Sequence, residues 1–137
     1  MAHAMVALPC LALALRRWGL GRVRAALARR MPSGDPELTP EGRTAPGRVA
    51  WCVHAAASYG PWPANCLQRS VLLWWYLGRR GMDGDLRIGV RRAADGEGLS
   101  FHAWVELDGA VLNDHDDVRQ RYATFEGAIA PRGAAFR

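Results

Sequence analysis

The chain has 137 residues, 50% of them hydrophobic, and its 18 basic and 13 acidic side chains give a net charge of +5. This length suits one compact domain with its own core and excludes a second full domain. The three cysteines, an odd number without a CxxC pair, argue against a disulfide framework and favour a reducing, cytoplasmic setting. The positive charge modestly favours an acidic partner; it does not by itself imply nucleic acid, and we expect no nucleic-acid partner.

The N-terminal segment is predicted to form a helical arm. Residues 4–15 are apolar, but two arginines follow this run instead of preceding it, unlike in a secretory signal. About a dozen apolar residues are also too few to span a bilayer, so we expect no membrane span. From Leu11 to Arg30 the apolar residues recur near helical spacing, whereas Gly19 and Gly21 each weaken the helix by about 1 kcal/mol relative to alanine.

A segment rich in proline and glycine separates this arm from the rest of the chain. Residues 31–47 contain four prolines and three glycines, which is typical of a loop or linker. We therefore assign the arm and linker to residues 1–47 and the main domain to residues 48–137, as parts of one compact unit. The main domain begins with a short predicted helix, Arg48–Tyr59, in which Cys52 lies on the apolar side and has a structural role.

The segment from Asn65 to Gly81 is predicted to form the central helix of the domain. Asn65 suits the N-cap, and Gly81 suits the left-handed position that ends a helix. Residues 71–77 are apolar on every side, so neighbouring elements should cover most of the helix circumference. Cys66 is then the first residue of a buried helix, where unpaired amides and the helix dipole favour a thiolate. The simpler interpretation is a small hydrophobic residue at a helix start.

After this helix the apolar residues alternate, as expected for the strands of a small antiparallel sheet. Residues 86–91 predict one strand, residues 101–107 predict a second, and Asp108-Gly109 predicts a hairpin turn into a returning strand over residues 110–114. The apolar sides of the first two strands are Leu86, Ile88, Val90, Phe101, Ala103, Val105 and Leu107. The anchors expected in the polar segment that follows are Tyr122, Phe125 and Ile129.

His102 and Asp114 meet in only one register of this hairpin. With a two-residue turn, Asp114 falls on the opposite face of the sheet from His102. A three-residue loop over residues 107–109, with Gly109 left-handed, pairs the two residues directly. We predict the second register, because it alone builds an imidazole that a carboxylate orients.

Cys66, His102 and Asp114 would then supply a nucleophile, a general base and an orienting carboxylate. The thiolate would attack an acyl carbon, and the imidazole would hold the proton and return it to the leaving amine. The backbone amide of Cys66 is a natural oxyanion donor, and the sequence identifies no second donor. A metal site formed by these residues with His115 competes with this interpretation, although no short ligand pair lies on one helix.

Four short segments also carry a resemblance to a known family. They are CLQRS over residues 66–70, LRIGVR over residues 86–91, HAWVE over residues 102–106 and LND over residues 112–114. Together they resemble the transglutaminase-like cysteine protease superfamily, and most closely the lasso-peptide leader peptidases in their short stand-alone form. The resemblance spans roughly residues 48–125 and involves four separate segments, which a chance pair of Cys and His would not.

The resemblance implies an α+β fold with a transglutaminase-like, papain-like core. In this core the helix that begins at Cys66 packs on a small antiparallel sheet, and the N-terminal helical arm is added to it. The implied activity is that of a cysteine protease that removes the leader from a ribosomally synthesised lasso-peptide precursor, with a Cys66, His102 and Asp114 triad and no cofactor. Trp104 and Glu106 share the face of His102 and are candidates for lining the substrate groove, although core packing is the preferred interpretation for Trp104.

The implied partners are the precursor peptide, a separate leader-recognition protein and an ATP-using lasso cyclase. The N-terminal arm lies outside the resemblance and is either a docking surface for the recognition protein or a plain structural element. Two other functions stay open. An acyltransferase or amidase of the same superfamily would use the same three residues with a different acceptor. A non-enzymatic basic adaptor would not need a reactive Cys66.

Overall fold

The computed structural model describes residues 2–31 and 46–124. In chain order the described elements are α1 (Ala2–Ala28), α2 (Pro46–Tyr59), α3 (Cys66–Arg79), β1 (Asp85–Arg92), β2 (Leu99–Leu107), β3 (Ala110–Val111), α4 (Val118–Arg121) and β4 (Ala123–Thr124). The strands form one antiparallel sheet in the order β3-β2-β1-β4. This arrangement confirms the predicted α+β fold class. The expected anchors Phe125 and Ile129, and most of the predicted linker, lie outside the described residues.

The helix α3 lies at the centre of the fold, as its apolar sequence predicts. It contacts α1, α2, β1 and β2. Its buried residues are Ser70, Val71, Leu72, Leu73, Trp74, Leu77 and Gly78. The helix ends as predicted at Gly81, which has φ of 74°, and the amide of Met82 donates to the Leu77 carbonyl at 3.0 Å. The Leu77 carbonyl also accepts the amide of Arg80 at 2.9 Å, so both bonds close the last turn, where helix carbonyls lack their regular partners.

The helix α1 forms one wall of the main core. It packs on α2 and α3. Its buried residues are Ala4, Leu8, Leu11, Ala12 and Val23. Gly19 has φ of 76° and ψ of 166°, so α1 consists of two helical parts that meet at this residue. Glycine adopts such a conformation without a steric penalty, which explains why the break falls at one of the two glycines predicted to weaken the helix.

By length and composition alone, α1 meets the criteria for a membrane-spanning helix, with a mean hydropathy of 1.2 over its most apolar 18-residue window. Core helices of soluble proteins and N-terminal signal sequences meet the same criteria. The N-terminal apolar run alone, about a dozen residues, is too short to span a bilayer. The helix itself runs for 27 residues. Its contacts with α2 and α3 make it part of the protein core in this structure.

The two faces of the sheet are covered by different parts of the chain. Leu86 and Val105 pair with each other and join the main core under α3. On the opposite face, Trp104 packs with Val118 and Tyr122 in a second, smaller cluster. Phe101 was expected to be buried with the first set, but it is 59% exposed. It pairs with a residue near the outer end of β1, away from the part of the ladder that α3 covers.

The hairpin between β2 and β3 has a two-residue turn, so the predicted three-residue register is wrong. Leu107 pairs with Ala110. Asp108 and Gly109 have φ of 49° and 82°, as a type I′ turn requires. This turn matches the right-handed twist of the flanking strands, and the Asp-Gly sequence favours it over a longer loop.

The returning strand is also shorter than predicted. It ends after Val111, whereas the sequence predicted a strand to Asp114. At the point where the ladder would continue, the Val105 amide donates to the side-chain Oδ1 of Asn113 at 2.8 Å instead of to the main chain of the partner strand. The chain therefore bends away from the sheet over residues 112–114. This bend lets Asp114 reach His102 although the register differs from the predicted one.

Candidate active site

Cys66 is the first residue of α3 and is half-buried. The preceding residue, Asn65, accepts the amide of Gln68 through its side chain at 2.9 Å, and its own amide donates to the Gln68 side chain at 3.3 Å. This capping box explains why the helix begins here. The thiol therefore lies at the positive end of the helix dipole, as predicted. Within the described residues it is not hydrogen-bonded to His102.

The imidazole of His102 contacts the carboxylate of Asp114. The contact joins Nε2 of the ring to Oδ2 of the carboxylate. The other carboxylate oxygen, Oδ1, accepts the amide of His115 at 2.7 Å and Nη2 of Arg121 at 3.0 Å. Because the carboxylate engages Nε2, the ring nitrogen left to exchange a proton with a nucleophile is Nδ1. The structure thus brings together two of the three predicted catalytic residues.

The carboxyl group of Asp114 is held in its ionised form. Burial alone would raise its pKa, but hydrogen bonds from His102 and the His115 amide, with the charges of His102 and Arg121, lower the pKa below the usual aspartate value. An ionised carboxylate fixes the orientation of the imidazole and stabilises its protonated form. Sequence reasoning missed Arg121, because it lies in a polar segment without a clear period.

Two aromatic rings support the imidazole. The ring centroid of Tyr122 lies 5.0 Å from that of His102, with 29° between the ring planes, and Trp104 lies 6.1 Å away at 28°. Both aromatic residues are buried. The guanidinium of Arg91 lies 4.8 Å from the centroid of the Tyr122 ring. This stack restricts rotation of the imidazole, since its neighbours are themselves packed in place.

Gly89 leaves the space that the aromatic rings occupy. A Cβ at this position would lie 2.8 Å from Cβ of Tyr122 and 2.9 Å from Cη2 of Trp104. Because both neighbours are buried, we expect Gly89→Ala to lower the free energy of unfolding by about 1–3 kcal/mol, as measured by urea denaturation. Gly21→Ala is the control, since its added Cβ meets nothing within 4 Å and helical alanine is favoured over glycine. An unchanged urea midpoint for Gly89→Ala would contradict the tight packing.

Trp104 and Glu106, the candidates for lining a substrate groove, are both buried in this structure, as the core-packing interpretation of Trp104 expects. Their exposed fractions are 0% and 6%. The Glu106 carboxylate accepts Nε1 of Trp104 at 2.9 Å and Nε of Arg119 at 2.8 Å, and it lies 3.5 Å from Nε of Arg87. Alternation places these residues on the face of His102, as predicted, but the chain after β3 covers that face. Both residues therefore belong to the buried support of the site.

The Glu106 carboxyl should make stability depend on pH. Burial would raise its pKa, but hydrogen bonds from Arg119 and Trp104 and the charges of Arg119 and Arg87 lower the pKa below the usual glutamate value. A carboxyl with a lowered folded pKa contributes stability that is complete above its unfolded pKa and is lost as the pH falls through the folded pKa. We therefore expect the free energy of unfolding to fall as the pH decreases below the usual glutamate pKa. The fall should be less steep in Glu106→Gln than in the parent protein.

Urea denaturation of the two proteins at several acidic and neutral pH values measures this difference. At neutral pH, Glu106→Gln should cost about 1–3 kcal/mol, since it weakens hydrogen bonds to a buried carboxylate whose arginine partners remain partly in water. Glu97→Gln is the control, because Glu97 is an exposed loop residue. Equal pH slopes for the parent and Glu106→Gln would rule out this contribution.

The start of α3 is tied to the strand that carries His102. Ser70 Oγ donates to the Ala103 carbonyl at 2.9 Å. Ser70 follows Cys66 by four residues and therefore lies on the same side of the helix, one turn further on.

The competing metal interpretation gains no support, since the part of the chain that the structure describes has no group of three or more His, Cys, Asp or Glu side chains that could hold a metal ion.

The comparison with protein families agrees with this fold. The sequence profile of the Transglutaminase-like superfamily matches residues 7–126, which is most of the chain. The chain belongs to the transglutaminase-like superfamily. Members of this superfamily are often cysteine proteases or acyltransferases. No curated protein and no solved structure matched the chain. The superfamily match begins within α1, so the predicted N-terminal arm overlaps the transglutaminase-like domain.

Proposed function

We propose that this transglutaminase-like protein is a cysteine peptidase that removes the leader from a lasso-peptide precursor. The observation that carries the proposal is the contact between Nε2 of His102 and the Asp114 carboxylate. The residue after His102 accepts a hydrogen bond from Ser70, one turn after Cys66 in α3. Superfamily membership supports cysteine-based acyl chemistry. The resemblance of the four short segments to leader peptidases supports the choice of substrate.

The proposed reaction proceeds through a thioester. The Cys66 thiol loses its proton to Nδ1 of His102, and the sulfur attacks the carbonyl carbon of the last leader residue. The bond to the first core residue breaks, and the imidazolium gives the proton to the leaving amine, so the core peptide departs with a free N-terminus. Water then attacks the thioester while His102 accepts its proton. The leader leaves as a carboxylate and the thiol is restored.

The other groups of the site would stabilise the charges that develop. Asp114 stays ionised and offsets the positive charge of the imidazolium without taking its proton. The backbone amide of Cys66, at the N-terminus of α3, would donate to the oxyanion of the tetrahedral intermediate. Superfamily membership equally admits an acyltransferase or amidase, which would use the same thioester with a different acceptor.

Product analysis of the precursor peptide, with and without an added primary amine, tests the proposal. The protein is incubated with precursor and the leader-recognition protein, and the products are identified by mass spectrometry. A leader carboxylate and a core peptide with a free amine, with or without added amine, support the peptidase. A leader amide that forms whenever the amine is present supports the acyltransferase. If the parent protein forms no product that Cys66→Ala does not also form, the result favours a non-enzymatic adaptor.

The peptidase is proposed to act in the cytoplasm with a separate leader-recognition protein, and the cyclase would consume the freed core. The three cysteines are free thiols, which suits a reducing compartment. We place the recognition protein on α1, where a largely apolar cavity of about 700 Å³ against α3 has Arg22, Arg29 and Arg30 in its lining. An acidic surface with apolar side chains complements this lining.

Charge reversal at the two arginines that directly follow α1 tests this docking site. We expect Arg29→Glu combined with Arg30→Glu to weaken binding of the recognition protein by roughly tenfold or more, because like charges would then face each other. Binding can be measured by titration calorimetry. Arg48→Glu, a charge reversal at an exposed residue of α2, is the control for charge reversal away from the cavity. Unchanged affinity in the protein with both substitutions would place the partner elsewhere.

A further inference from the structure

Two polar side chains link α3, β2 and the segment that follows β3. Ser70 is 0% exposed, its Oγ donates to the Ala103 carbonyl at 2.9 Å, and it accepts Nδ2 of Asn113 at 2.9 Å. Oδ1 of Asn113 in turn accepts the amide of Val105 at 2.8 Å. Three hydrogen bonds thus connect three separate segments of the chain. We refer to Ser70 and Asn113 together as the clamp.

Each part of the clamp adjoins one of the proposed catalytic residues. Its serine lies one helical turn after Cys66, its acceptor carbonyl belongs to the residue after His102, and its asparagine directly precedes Asp114. We propose that Ser70 and Asn113 are positioning residues, which hold the thiol, the imidazole and the carboxylate in a fixed relative arrangement. This inference rests on the proposed cysteine chemistry and concerns the same site.

Asn113 also explains how Asp114 contacts His102 although the hairpin has a two-residue turn. If β3 continued along β2, Asp114 would lie on the opposite face of the sheet from His102. The bond from the Val105 amide to Oδ1 of Asn113 replaces the next ladder bond, and the chain bends at this position. The bend turns Asp114 toward the imidazole. A single side-chain hydrogen bond therefore sets which face the orienting carboxylate reaches.

The serine explains how the helix is aligned with the strand. The rest of the α3 centre is held by apolar packing, which is nearly non-directional and tolerates small shifts. A buried hydroxyl that both donates and accepts fixes direction as well as distance. A shift of about 1 Å between catalytic groups can cost roughly 10²-fold in rate. We therefore expect Ser70→Ala and Asn113→Ala each to lower kcat of precursor cleavage by roughly 10²-fold, with KM little changed.

A second measurement tests the positioning role of the clamp without any catalytic turnover. The alkylation rate of Cys66 at neutral pH, relative to Cys10 in the same sample, is determined by mass spectrometry in Ser70→Ala, Asn113→Ala and His102→Ala. It is also measured in the clamp variants combined with His102→Ala. We expect each clamp variant to lose the rate enhancement that His102 provides, and the combined variants to lose nothing further, because the residues act as one unit. Val53→Ala, in the core of α2, controls for destabilisation alone.

The possible outcomes distinguish the positioning role of the clamp from the proposed peptidase function. If folded Ser70→Ala and Asn113→Ala keep the His102-dependent alkylation rate, or if Val53→Ala loses it equally, the clamp is overturned. If the enhancement is lost only in the clamp variants and His102→Ala, while the parent cleaves no precursor, the clamp stands and the peptidase proposal fails. If His102→Ala does not change alkylation of the parent, both proposals are overturned, since no thiol and imidazole pair exists to be positioned.

Discussion

Cys66→Ala is expected to abolish precursor cleavage while the protein stays folded. The thiol is the proposed nucleophile, and removal of the nucleophile from such a set typically costs 10³-fold or more, up to about 10⁶-fold, in kcat. Stability should change by less than about 1 kcal/mol, because the side chain is half-buried and the helix start is fixed by the Asn65 cap rather than by the cysteine. Cleavage is followed by mass spectrometry, and stability by thermal unfolding.

Cys52→Ala provides the matched control for this loss. Cys52 is also a half-buried free thiol, but it lies within α2 rather than at a helix start. It should retain the parent cleavage rate. Cleavage by Cys66→Ala at more than a tenth of the parent rate would eliminate Cys66 as the nucleophile.

Asp114→Asn is expected to lower kcat by roughly 10²–10⁴-fold, with a much smaller effect on KM. The amide would keep the shape of the side chain, but it would carry no charge to stabilise the imidazolium and would allow the wrong tautomer of His102. The carboxylate that it replaces is ionised over a wide pH range, because its pKa lies below the usual aspartate value. Steady-state kinetics with the precursor peptide measures both constants.

Neighbouring charges supply controls for this variant. Arg121→Gln removes the guanidinium that binds Oδ1 of Asp114, and we expect a decrease in kcat of roughly tenfold, since His102 and the His115 amide still hold the carboxylate. Asp117→Asn changes an exposed carboxylate that contacts Nε of Arg121 rather than the Nη2 that binds Asp114, and its kcat should be close to that of the parent. A rate for Asp114→Asn equal to that of Asp117→Asn would show that the carboxylate does not orient the imidazole.

The parts of the site that follow local rules could be predicted from the sequence. The capping pattern at Asn65 and the glycine at position 81 define both ends of α3, and its apolar middle indicates burial. Period-two alternation defines β1 and β2 closely. Cys66, at the start of the helix, and His102, on the strand, therefore had predictable positions. Each of these features depends on a few consecutive residues.

The position of Asp114 relative to the hairpin depends on a side-chain hydrogen bond that the pattern of neighbouring residues does not predict. The Asp-Gly turn favours the two-residue form, and the sequence predicts the longer loop only because a continuous strand with the shorter turn would place Asp114 on the wrong face. The strand is not continuous, since the Asn113 side chain takes the place of a main-chain acceptor. A signal was present in Ser70, a hydroxyl residue directly before the apolar run of α3 that needs a partner when buried.

The segment after β3 was the least predictable part of the described chain. The helix α4 has four residues and β4 has two, so neither offers enough sequence for a period to appear. Their placement comes from packing on the sheet, where Tyr122 and Val118 cover Trp104. Tyr122 was predicted as an anchor, but its stacking on His102 was not, because a non-local ring contact leaves no sequence pattern.

The pH dependence of alkylation at each cysteine, in the parent protein and in His102→Ala, tests the proposed thiol and imidazole pair most directly. Mass spectrometry resolves the three cysteines in one sample, so Cys10 and Cys52 serve as internal standards. We expect Cys66 to react at lower pH than the other two, and His102→Ala to move its profile to higher pH. A Cys66 profile that follows those of Cys10 and Cys52 in both proteins would contradict a preformed catalytic pair.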